Sequence, residues 1–155
     1  MITMNEFLLA RTAEDEVVAR KAIIPAFSGA YKPHPELSHW RYAPDGEVEY
    51  DYNDPYCYPV VLRVTQDNEG LTSSVNEEVG PHIARFDPAR VLAECAAKRR
   101  IVNWAVVTRE HEARAIEMGW PHEATTIAAV AYEDVITELV QVYADHPDFR
   151  GEWHS

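Results

Sequence analysis

Six of the ten prolines fall between residues 25 and 59, at Pro25, Pro33, Pro35, Pro44, Pro55 and Pro59. Proline inside a helix removes a backbone donor and clashes with the carbonyl four residues earlier. Long helices are therefore expected on either side of this stretch, with a loop and short strands within it. Pro25 to His39 reads as an irregular loop packed on the domain through Phe27, Tyr31 and Leu37, with Lys32-Pro33-His34-Pro35 extended.

Within the stretch, Pro44-Asp45-Gly46 is a turn with a mechanism, since proline presets one torsion and glycine permits a positive φ. Its flanks alternate with period two. Trp40, Tyr42, Val48, Tyr50 and Tyr52 share one face, and Arg41, Glu47, Glu49 and Asp51 take the other. This predicts a hairpin over 40–52, with the acidic face outward in solvent. A third strand is expected over 58–65, through Val60, Val61, Leu62 and Val64, closed by Asp67-Asn68-Glu69-Gly70.

Ahead of Pro25, a helix is expected from about Asn5 to Ala22. Phe7, Leu8, Val18, Ala19 and Ala22 lie in one broad arc, on which Arg11 and Asp15 intrude. Glu16 and Arg20 make a favourable pair four residues apart. Beyond the proline stretch, residues 75–86 form a short helix candidate with a boundary at Gly80-Pro81. Asp87-Pro88 is a stronger start, because aspartate caps the open N–H groups and proline suits the first turn. That helix runs past Cys95, a core position beside Leu92 and Val102, to a stop at Gly119, with a break or kink expected near Val107-Thr108. A last helix, about Glu123 to Ala144, carries Ala128, Ala131, Tyr132, Val135, Leu139, Val142 and Tyr143 on one arc. Pro147 cannot extend it, which leaves Asp145 and His146 at its end, with Phe149 and Trp153 folding back as anchors. The fold class is α+β: one domain over residues 1–155, mainly helical, with a small antiparallel sheet of about three strands.

The formal charge is −12. It argues against direct nucleic-acid binding or an anionic membrane surface, where affinity comes from Lys and Arg displacing counterions. Arg85 to Arg114 is the exception, with seven bases against four acids. No run of about 18 apolar residues is present and no signal peptide is recognised at the start, so a cytoplasmic protein is expected. Cys57 and Cys95 form no C-x-x-C, which fits a reducing compartment.

Two segments carry a resemblance: His82-Ile83-Ala84-Arg85-Phe86-Asp87-Pro88-Ala89-Arg90-Val91-Leu92, continuing to Arg100, and Tyr143-Ala144-Asp145-His146-Pro147-Asp148-Phe149-Arg150-Gly151-Glu152-Trp153. They resemble the central helix and the tail of an uncharacterised family of small actinobacterial and actinobacteriophage proteins. The resemblance implies a bacterial host cytoplasm. Many members of that family carry C-x-x-C and Cys-Pro between these segments, implying zinc there. This chain has Gly119-Trp120-Pro121-His122-Glu123-Ala124, which supplies no thiolate for a tetrahedral site. No metal and no cofactor is expected.

Seven histidines, His34, His39, His82, His111, His122, His146 and His154, form no H-E-x-x-H pattern. No nucleophile elbow or phosphate-cradling loop occurs. Asp145-His146-Pro147-Asp148 is the best candidate site. A histidine between two carboxylates suits a general base, while a histidine ending a helix is also favoured by the helix dipole. Two further binding candidates are Lys98-Arg99-Arg100, for an acidic partner or phosphate, and the hairpin carboxylates Glu47, Glu49 and Asp51, for a basic host protein. The leading expectation is a phage-type accessory or protein-interaction module whose partner is a protein, a host factor being one such. The alternatives are a small hydrolase-like or metal-dependent enzyme using His82, Asp145, His146 and Asp148, and a virion-associated protein. Oligomeric state is left open.

Overall fold

The computed structural model describes residues 2–23, 38–44, 46–50 and 79–154. The third strand expected over 58–65, most of the Pro25–His39 loop, and the candidate residue Asp51 lie outside them. Among the described residues the fold is α+β and mainly helical: α1 (Met4–Ala22), β1 (Trp40–Tyr42), β2 (Val48–Tyr50), α2 (Gly80–Arg85), α3 (Pro88–Glu117), α4 (Glu123–Gln141) and a 3₁₀ turn at Gly151–Trp153. The chain divides into two compact units, Met1–Glu14 with Glu94–Ser155, and Asp15–Ala93.

The first unit holds an apolar core of Phe7, Leu8, Val102, Ala105, Ile136, Val140 and Trp153. α1 enters it through a capping box, in which Thr3 N–H and Oγ1 donate to Glu6 while Glu6 N–H donates back to Thr3. The Thr3-x-x-Glu6 spacing was readable in the sequence. α3 is uninterrupted at Val107-Thr108, contrary to the expected break. β-branched residues lower helix propensity only slightly, and no proline or glycine follows Pro88 before Gly119. Gly119 ends the helix in the left-handed region, at φ 65°. Trp120 N–H bonds Ala115 O at 2.9 Å and Gly119 N–H bonds Ile116 O at 3.1 Å, a Schellman stop.

α4 uses only part of the arc expected: Tyr132 and Leu139, with Tyr143 just past the helix end, pack against the core. Ala129, Ile136 and Val140 are buried, while Ala131, Val135 and Val142 face solvent. The helix is apolar on more than one side, so periodicity alone did not select the buried face. It ends at Gln141, not Ala144, and three-residue turns continue through Phe149.

In the second unit β1 and β2 pair antiparallel, with Tyr42 opposite Val48 and Arg41 opposite Glu49. Gly46 takes φ 87° and its N–H bonds Ala43 O, which makes glycine necessary there. The acidic face of this hairpin is not the solvated surface that alternation suggests. Glu47 and Glu49 are only 3% and 4% exposed. Glu49 Oε2 accepts from Arg41 Nε and Nη2 at 3.2 and 3.0 Å. Period-two alternation separates two faces but does not say which is wet; here Val48 and Glu49, on opposite faces, are both buried.

α2 packs on both strands. A Cβ at Gly80 would stand 2.1 Å from the Tyr42 ring, so only glycine admits this approach. α3 begins in this unit, where Asp87 Oδ1 accepts Arg90 N–H at 2.7 Å, the cap expected from Asp87-Pro88. On α1, Ala19 is buried but Val18 is 68% exposed, so the apolar arc expected for that helix is only partly used.

Candidate functional site

The Tyr143–Trp153 tail folds back over Phe7. The helix ends at Gln141, six residues before Pro147, three-residue turns carry the chain on, and Gln141 Nε2 donates to Trp153 O at 2.5 Å. Around the fully buried Phe7 ring stand Trp153, His146, Phe149 and Tyr143, with ring centroids 5.1, 5.8, 6.0 and 6.3 Å away. Such tilted and edge-on pairs are each worth about 0.5–1.5 kcal/mol beyond their buried area.

His146 is held in this cluster by a residue that motif reading did not assign to the site. Arg11, on α1, is 9% exposed, and its Nη1 touches both ring nitrogens of His146, at 2.9 Å from Nδ1. Its Nη2 lies 3.0 Å from Glu14 and its Nη1 3.7 Å from Asp148. Its guanidinium also sits 5.4 Å from the centre of the Phe7 ring. The sequence signal was present, as a cation intruding on an apolar helix arc. The backbone N–H of Asp148 donates to His146 Nδ1 at 3.1 Å. These contacts tie the imidazole to α1 on one side and to the turn at Asp148 on the other. What the arrangement does is anchor the tail to α1. Asp145 and Asp148 face solvent.

His82 lies in the second unit, its ring 4.7 Å from Phe86. In the first unit, Lys98 donates to Tyr143 Oη at 2.6 Å; Arg99 is half-buried and Arg100 exposed. Glu47 and Glu49 are buried in the second unit. Among the described residues no three His, Cys, Asp or Glu side chains are grouped to hold a metal ion. No described helix is long and apolar enough to cross a membrane.

A charged cluster missed in the sequence links α3 and α4. Arg109 bonds Glu112 at 2.6 Å and also bonds Glu133. The hydrogen bonds from Arg109 and Thr126 hold the Glu112 carboxyl below the ordinary carboxylate range, and those to Glu133 and Glu112 raise the Arg109 guanidinium. The cluster borders an open groove of about 780 Å³ between the start of α1, α3 and α4.

The same two helices leave large apolar side chains in water. On α3, Trp104, Val107 and Met118 are 51%, 36% and 58% exposed. At 100° per residue they fall within about 60° of one another. On α4 and its C-cap residue Val142, Ile127, Ala131, Val135 and Val142 share an arc of about 80°, with Ile127 and Val142 72% and 71% exposed.

The model of one family, described as "Family of unknown function (DUF6221)", matches residues 1–155, the whole chain. No curated protein and no solved structure matches it.

Proposed function

We propose that this chain, which belongs to the DUF6221 family of unknown function, is a protein-interaction module of the accessory kind that actinobacteriophages encode, working on a host protein in the bacterial cytoplasm. The observation that carries this reading is the exposed apolar side of α3 and α4. A soluble monomer tolerates scattered exposed apolar residues, but aligned stripes with a large exposed tryptophan mark binding surfaces. Trp104, Trp120 and Ile127, each more than half exposed, are the side chains whose burial would contribute most.

Support also comes from the tail cluster. Of the residues that invited an enzymatic reading, His146 contacts Arg11 and Phe7, and Asp148 lies 3.7 Å from Arg11, which holds the tail to α1. The acidic hairpin contributes nothing to the surface at Glu47 and Glu49, so the proposed contact moves from the sheet to the helices.

The test is a pulldown from an actinobacterial lysate with the wild-type chain and with a Trp120→Ser, Ile127→Ser variant. A partner at stoichiometric yield with the first and lost with the second is expected. No stoichiometric partner at any salt concentration would remove the reading.

A further inference from the structure

The groove of about 780 Å³ in the first unit has two chemically distinct parts. Its floor is apolar, with Met4, Ala105 and Ile136; Ala105 and Ile136 are 7% and 2% exposed. Its rim carries Glu110, Glu133 and Asp134, all exposed. The cation of the rim, Arg109, is bonded by Glu112 and Glu133. Glu133 is thus engaged by Arg109, and Glu110 and Asp134 are the exposed rim carboxylates that stand beside this pair.

We infer that this groove docks a cationic amphipathic helix of a partner protein, with its apolar side on the Met4–Ala105–Ile136 floor and its lysines or arginines against Glu110 and Asp134. This rests on the interaction reading and adds the chemistry of the partner. Charge complementarity selects the occupant. A second copy would bring a chain of formal charge −12 to an already acidic rim. A small polycation would satisfy the carboxylates and leave the floor wet. A helix with apolar anchors on one side and bases on the other meets both parts, in the helix-in-groove manner. The same net charge steers a basic partner toward the molecule.

The probe is a synthetic leucine–lysine amphipathic helix of about 18 residues, five turns long, titrated onto the full chain by fluorescence anisotropy. Saturable binding is expected, weakening with added salt. Glu110→Lys with Asp134→Lys should weaken it by about tenfold or more. Glu117→Lys with Glu123→Lys changes net charge equally at exposed sites near the α3–α4 turn and should leave binding nearly unchanged. Ala113→Trp, at an exposed groove position, should obstruct the peptide without reversing any charge. Circular dichroism confirms that each variant is folded. Equal loss in both charge-reversal pairs, equal binding of a leucine–glutamate peptide, or displacement by spermine at matched charge would each overturn the inference. If the peptide fails to bind while the lysate partner is still retained through Trp120 and Ile127, the groove proposal falls and the interaction reading stands.

Discussion

Arg11 and His146, 135 residues apart in the chain, meet side chain to side chain, with Arg11 Nη1 2.9 Å from His146 Nδ1. A guanidinium only donates, so this contact needs a ring nitrogen as acceptor. The buried arginine that breaks the apolar pattern of α1 is there to receive the tail. Arg11→Ala should destabilise the protein by about 1–3 kcal/mol, because it removes a partly buried hydrogen-bonding partner and strands the groups it served. A double-mutant cycle with His146→Ala, read by urea unfolding, should give a coupling of about 0.5–3 kcal/mol. Additive effects would mean the contact contributes nothing.

Trp153 is the larger anchor of the tail. It is 7% exposed, packs 5.1 Å from Phe7 and accepts from Gln141 through its carbonyl. Trp153→Ala should cost about 3–5 kcal/mol, as large aromatic truncations in cores do. Glu152→Ala next to it, in an exposed position, should stay within about 0.5 kcal/mol. Thermal or urea denaturation of both variants checks the contrast; equal effects would show that the tail is not clasped.

The Glu112 carboxyl, hydrogen-bonded by Arg109, is held below its ordinary value of 4.5 in the folded chain. The unfolded chain therefore takes up that proton first as pH falls. The stability contributed by the pair is present above 4.5 and is lost as pH drops through the lower folded value. Glu6, held down by Thr3 in the capping box, adds acid sensitivity of the same sign. Urea midpoints measured across the acidic range should fall less steeply for Glu112→Gln than for the wild type. Parallel curves would assign the acid sensitivity to other carboxylates.

Two glycines should fail for different reasons when replaced. Gly80→Ala places a Cβ within 2.1 Å of the Tyr42 ring, so α2 or β1 must shift, at a cost of roughly 1–3 kcal/mol. Gly119→Ala meets open space but keeps φ 65°, and should cost about 1 kcal/mol from backbone conformation alone. Tyr42→Ala should relieve the first substitution and leave the second unchanged, as read from melting temperatures of the single and double variants.

Local chemistry in the sequence determined where elements begin and stop. Asp87, Gly119 and Gly46 each act within a few residues of themselves, through a cap or a permitted torsion, and the structure uses all three. Membership of an uncharacterised family was likewise readable from contiguous segments. The choice of buried face was not, because it depends on what each element packs against. α4 has apolar residues on more than one side, and only packing beside Phe7 and Val102 selected Ile136 and Val140 over Val135 and Val142. The hairpin alternates cleanly, yet both of its faces contain buried residues. The candidate site was half visible: His146 and Asp148 stood out as a motif, while Arg11 was seen only as an intruder on an apolar arc. Tertiary structure joined them, because a fold that brings residues 135 positions apart into contact leaves no local trace of that pairing.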